Sequence, residues 1–293
     1  MYLDFYGMVR APFEMTPDPS FLYLGEVHRE GLATLVYAMQ SGKGFVVLTG
    51  EVGTGKTTLL NALLSQLDPN TASAYLFNPK LEPLDFFKML FEEFGIGDGC
   101  TTKADYLLAL NRFLIERHEK DQSALLIVDE AQNLSPEVLE EIRLLSNLET
   151  ATSKLIQIML VGQPELKKLL ARPELRQIRQ RVSLRHDLRP FDEAETGEYI
   201  DERLSRAGYT GPAIFKRSAR RVIFKRTAGI PRLINALCDS ALLLGYSRDV
   251  ATLDASVVSE AADDLALGAD EEMGPPSEKR KPRRRWRWFG LRP

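Results

Sequence analysis

Gly50-Glu51-Val52-Gly53-Thr54-Gly55-Lys56-Thr57 is the stretch that decides how this chain is read. It satisfies G-x-x-x-x-G-K-[ST] at every fixed position, and Thr58 extends it into the next turn. Phe45-Val46-Val47-Leu48-Thr49 precedes it, a short β-branched run of the kind that makes a buried strand. A helix is expected behind it, from about 55 to 67. In that setting the glycines let successive N–H groups turn inward on phosphate oxygens, and the helix start adds its positive end. Lys56 is expected to reach the β- and γ-phosphates, and the Thr57 hydroxyl to ligate Mg2+. A chance lysine in a glycine turn would not account for the strand and helix on either side.

Such a site needs a second half, an acidic residue at the end of another buried strand. Ala124-Leu125-Leu126-Ile127-Val128 supplies the strand, and Asp129-Glu130 stands at its end. Asp129 is expected to hold Mg2+ and Glu130 to polarise an attacking water, because the metal needs only one carboxylate of the pair. Helix capping is the bland reading of an acidic pair, but it does not explain its place opposite the phosphate loop. Together the two motifs specify a P-loop nucleoside triphosphatase with ATP and Mg2+ as its cofactors. A spacing of 73 residues from Lys56 to Asp129, with a helical region afterwards, narrows the class to AAA+.

Outward from these motifs, strands and helices alternate. Further strands are expected at 73–77, 154–161 and 182–188, and helices at 26–41, 82–94, 103–119 and from Ser135-Pro136 to about 148. This is an α/β fold with a parallel sheet sandwiched by helices. After Pro190 only helical patterns remain, near 192–207, 212–226, 231–246 and 254–267. The expected organisation is an ordered irregular arm (1–25), an AAA+ core (26–190), a small all-helical lid (191–268) and a flexible tail (269–293). The prolines in this arm, which is also rich in aromatics and glycine, argue against a helix there.

Composition is that of an ordinary globular chain of 293 residues, 44% hydrophobic and 27% charged. Two cysteines exclude a disulfide framework and suit a reducing compartment. The net charge of −3 hides a division. Residues 279–293 (KRKPRRRWRWFGLRP) carry eight basic residues and no acidic one, so the body before them is strongly acidic. No run approaches the ~20 apolar residues of a membrane span, and the first residues do not form a secretory signal. A cytoplasmic protein is expected, peripheral at the inner face of the membrane if its tail binds there. The Arg/Trp/Phe mixture suits an anionic membrane surface or an acidic partner, and less well a nucleic acid. His28, His118 and His186 show no metal spacing and read as surface or packing residues.

Beyond the two motifs, FYGMVRAPFEMTPDPSFLYLGEVHREGL, LLIVDEAQNLSPEVLEEIRLLSNLE, IMLVGQPEL and GIPRLINALCD resemble the AAA+ ATPases of the general secretion pathway protein A family and those of exosortase and exopolysaccharide loci. The resemblance covers roughly residues 1–265. It implies a homo-oligomer acting on a secretion or export machinery protein. It further implies that Gln163 is the sensor 1 residue and Arg232 the sensor 2 residue. Arg181 would reach into a neighbouring subunit's site, with Arg176 and Arg179 as rivals. Full-length secretion members continue into a transmembrane helix and a peptidoglycan-binding part, which these 293 residues do not contain. Nucleotide hydrolysis is therefore the activity the resemblance carries most directly. The competing expectation is an ATP-dependent DNA-binding regulator like the AAA+ ATPases of transposition.

Overall fold

In the computed structural model the described residues are 1–15, 21, 23–77, 81–97, 99–151 and 153–267. The basic-aromatic tail, and with it the expected membrane contact, lies outside them.

Five strands form one parallel sheet: β1 (Phe45–Gly50), β2 (Ala72–Leu76), β3 (Ala124–Val128), β4 (Gln157–Gly162) and β5 (Leu184–Leu188). Their order is β2-β3-β4-β1-β5. Strand β4 is thus inserted between the phosphate-loop strand and the acidic strand, with Leu48 opposite Val161 and Val128 opposite Leu160. The three central strands are buried along their whole length, which explains their uninterrupted apolar sequences. Alternate residues serve two cores. Phe45, Val47, Leu126, Val128, Ile158 and Leu160 face one layer, and Val46, Leu48, Leu125, Ile127, Met159 and Val161 face the other.

Helices α4 (Pro83–Phe94), α5 (Lys103–Glu119), α6 (Pro136–Leu145), α7 (Glu165–Leu170) and α8 (Arg176–Arg181) belong to this α/β unit, together with α2 (Glu26–Gln40) and α3 (Lys56–Leu64). Local signals set their ends. Thr102 and Asp105 form a reciprocal capping box on α5, and the Ser135 hydroxyl accepts from Val138 N–H ahead of Pro136 on α6. The β4 pattern starts later than its sequence suggests, at Gln157, because Lys154 forms an antiparallel bridge with Glu149 instead.

Helices α9 (Glu193–Arg206), α10 (Arg217–Thr227), α11 (Pro231–Ser247) and α12 (Ala255–Asp264) follow and enclose a third core. Helix α10 starts at Arg217 rather than near 212. Ile214 and Lys216 are occupied in main-chain bonds to Leu253 (Leu253 N to Ile214 O 2.7 Å, Lys216 N to Leu253 O 2.9 Å), which keeps them extended.

The amino-terminal arm differs from its sequence reading. Tyr2–Tyr6 form a short helix, α1, closed by Gly7 at φ 70°. The prolines all lie beyond it, so nothing restricts its backbone, and glycine supplies the left-handed residue that ends it. Tyr6, Met8, Phe13 and Phe21 are buried in the helical core rather than against the sheet. The Tyr2 hydroxyl donates to Asp239 at 2.6 Å, and Arg203 on α9 donates to the carbonyl of Pro12. No helix among the described residues is long and apolar enough to cross a membrane.

Candidate nucleotide site

A cavity of about 500 Å³ opens where the carboxyl ends of the strands meet the helical unit. Its lining includes Gly53, Gly55, Lys56, Thr57 and Thr58 from the phosphate loop, Glu130 from the end of β3, and Arg232 from α11. Gly53 and Gly55 both adopt left-handed backbone, φ 79° and 95°. A Cβ on Gly53 would lie 2.7 Å from Arg232 Cβ, so only glycine lets the loop pass beneath α11. The Arg232 N–H donates to Gly53 O at 3.3 Å.

Lys56, nearly buried at the first position of α3, donates to its own loop through Gly50 O (2.9 Å) and Glu51 O (3.0 Å). Burial lowers its pKa, opposed by the nearby charges of Glu130, Asp129 and Glu51. Thr54 is fully buried and donates to Glu51 O at 2.8 Å, so its side chain shapes the loop instead of facing the cavity. Glu51 contributes its carbonyl to Lys56, while Val52 and the Thr57 side chain are presented at the surface of the loop.

Asp129 sits just behind the cavity, 3% exposed. Its Oδ2 accepts from the Tyr75 hydroxyl at 2.7 Å and its Oδ1 from the Glu130 N–H at 2.8 Å. Burial and the Asp129 carboxylate push the Tyr75 pKa up, keeping the phenol a donor. Glu130 turns the chain sharply at φ 51°, a left-handed conformation uncommon for a residue with a side chain. Its Oε2 accepts from the side-chain amides of Gln132 and Gln163, the latter at 3.1 Å. Gln132 Oε1 in turn accepts from the Gln163 main-chain N–H at 3.0 Å.

The residues fit the groups the motifs imply. Thr57 hydroxyl and Asp129 carboxylate are hard oxygen donors of the type Mg2+ prefers, and the glycine turns with Lys56 make an anion cradle. Among the described residues no cluster of three or more His, Cys, Asp or Glu offers a separate metal site.

Arg181 is elsewhere. It donates to Ser146 Oγ at 2.8 Å, at the end of α6, and Arg179 donates to Ala171 O at 2.8 Å. Neither they nor Arg176 line the cavity of their own chain.

Sequence reading passed over several residues. Tyr75 and Gln132 hold the two carboxylates, and neither belongs to a phosphate-loop signature. His28 is a packing histidine with a specific task. It is buried, its Nε2 donates to Thr54 O at 2.9 Å, and its ring lies 5.0 Å from Phe191 at the junction with the helical unit. Its Nδ1 is buried with no hydrogen-bond partner among the described residues. Burial lowers the His28 pKa, assisted by His186 and Arg189 and opposed by the Thr54 carbonyl and Glu195. The folded histidine therefore stays neutral below about pH 6.5, where an unfolded one takes up a proton. Stability should fall as the pH drops below that value, and His28→Gln should flatten this acid dependence in thermal melts. Equal slopes for the two proteins over pH 5–7 would contradict the assignment. The far end of the cavity is aromatic, with Tyr23, Phe191 and Tyr199 within 5.2–5.7 Å of one another, joined by Arg203 and Asn235.

A family model described as an AAA domain matches residues 39–170. General secretion pathway protein A of Aeromonas hydrophila is 41% identical over 272 residues, which is 92% of this chain and 50% of that protein. The chain thus spans half the length of this relative. Among solved structures, the Aeropyrum pernix ORC2 protein in its ADPNP-ADP complexes has a TM-score of 0.65 at 17% identity, over 89% of this chain and 73% of that one. Drosophila ORC bound to DNA gives 0.69 at 15% identity, over 92% and 67%. At these identities the likeness to the two structures is one of fold.

Proposed function

We propose that this chain, which belongs to the AAA-domain family of general secretion pathway protein A, binds and hydrolyses ATP with Mg2+ to drive conformational change in a secretion or export assembly. The observation that carries the reading is a cavity lined by Lys56, Thr57, Glu130 and Arg232 together, drawn from two packed units. We take the arm (1–25), core (26–190), lid (191–268) and tail (269–293) as its working parts.

Thr57 and Asp129 would hold Mg2+, which when bound would supply positive charge to offset that on the transferred phosphate. Lys56 exchanges two main-chain carbonyls for β- and γ-phosphate oxygens, and the Gly50–Thr58 loop donates its N–H groups. Glu130 accepts a proton from the attacking water. Gln163 stands beside Glu130 and donates toward the γ-phosphate. Arg232, attached to the phosphate loop through its own main chain, carries the charge of the bound phosphates into α11. These contacts reward closure of the lid on ATP and are lost on hydrolysis.

Arg181 completes the site of a neighbouring copy, so hydrolysis depends on assembly. The rate per protomer should rise with protein concentration, and Arg181→Ala should lower it by ~10³ or more while leaving nucleotide affinity intact. Mixing Arg181→Ala with Lys56→Ala should restore activity, because each supplies what the other lacks. A rate independent of concentration, with no recovery on mixing, would remove the arginine from this role. The setting proposed is cytoplasmic, with export machinery as partner.

A further inference from the structure

The cavity does not use every polar group near it. Gln132 lies two residues past Glu130, does not line the cavity, and yet makes the most constrained side-chain contact of the acidic turn. Its Oε1 accepts from a main-chain N–H, that of Gln163, and only the oxygen end of an amide can do so. That bond fixes which way the amide faces, and its NH2 end must then point at Glu130 Oε2. Room for it comes from Gly162, where a Cβ would stand 2.5 Å from Gln132 Oε1. The left-handed backbone at Glu130 is what turns the chain so that residue 132 can reach back over the end of β4.

Gln163 differs. It donates to the same Glu130 oxygen, but the contacts described leave its own Oε1 unused, so nothing fixes its amide. One amide is anchored and the other can leave. From this asymmetry we infer that Gln132 is the positioning residue of the general base. It holds Oε2 of Glu130 in place so that Oε1 stays directed at the water when Gln163 turns to the phosphate. The same bond ties the base to the main chain at the end of β4, so a shift of that turn moves the carboxylate with it. Gln132 touches neither nucleotide nor water and acts only through Glu130. The inference rests on the proposed role of Glu130.

Gln132→Met keeps the length and removes both polar ends. Nucleotide affinity, read by titration with a fluorescent ATP analogue, should stay within about twofold. The turnover number should fall about 10- to 100-fold, the scale on which a small displacement of a reacting group acts. In a Glu130→Gln background the same substitution should not change the residual single-turnover rate, because the group it positions is already absent. Gln132→Leu, smaller and equally apolar, should show the same split, and thermal melts of both variants close to that of wild type guard against a variant that fails to fold. Unchanged turnover would overturn the inference. So would an affinity that falls in step with turnover, or an equal further loss in the Glu130→Gln background, either of which marks a merely structural role. Full turnover in Glu130→Gln alone would instead defeat the reading of Glu130 as base.

Discussion

Lys56→Ala is expected to lose tight nucleotide binding. The lysine is almost buried, and its ammonium is satisfied by Gly50 O and Glu51 O at 2.9 and 3.0 Å. Phosphate oxygens are better acceptors for a cation than these carbonyls, since both partners are charged. Each hydrogen bond involving a charged group contributes about 1.5–3 kcal/mol, so losing two costs roughly 3–6 kcal/mol. On the affinity scale that is about a 10²- to 10⁴-fold weaker Kd. Calorimetric titration of ATP into wild type and variant measures it directly. A thermal melt should show the alanine variant still folded, because the loop is also held by Thr54, His28 and the Arg232 main chain. An affinity within a factor of three of wild type would mean that the loop does not bind phosphate in the manner its sequence implies.

Glu130→Gln should do the opposite. The amide has the same shape and removes only the ability to take a proton. ATP binding should persist while turnover falls by about 10²- to 10⁴-fold, the usual contribution of a positioned general base. Single-turnover measurement separates this loss from slow product release. Asp129 already accepts from two groups, the Tyr75 hydroxyl on one oxygen and the Glu130 N–H on the other, which suits it to the proposed role of metal ligand rather than base. A Glu130→Gln protein that hydrolyses ATP at the normal rate would require another residue as base.

Much of the fold was legible because its signals are local. The apolar runs of β1, β3 and β4, the Ser135-Pro136 start of α6 and the helical periodicities after Pro190 each depend on a few neighbouring residues. The placement of Lys56 and Glu130 at one end of the sheet follows from a strand-then-helix reading of each motif. Contacts between strands were not legible. Tyr75 and Asp129 are 54 residues apart, and only the register that sets Leu76 beside Val128 brings them together. Gln132 is close to Glu130 in sequence, but its meaning depends on the insertion of β4 and on the space above Gly162. His28 lacked any motif, and its role appears only when α2 lies against the phosphate loop. The arm was read as irregular on account of its prolines, Pro12, Pro17 and Pro19, whereas the first six residues contain none.

The path of the arm has a mechanical consequence. Residues 2–13 pack into the helical unit and α2 packs on the sheet, so the chain passes from one unit to the other near Tyr23–Gly25 and returns near Phe191. The two passages touch. Tyr23 and Phe191 rings are 5.5 Å apart, a Cβ on Gly25 would meet Phe191 Cε1 at 3.0 Å, and Glu26 N–H donates to Glu195 Oε1 at 3.0 Å. A body joined to another by one strand of chain can swivel freely, but one joined by two adjacent strands is held more like a door on a pair of pins. Swinging about the line through both pins remains easy, and twisting across it does not. Any opening or closing of the pocket between the units must act through this paired crossing, and the first residues of the chain, packed in the helical core, sit on the helical side of it.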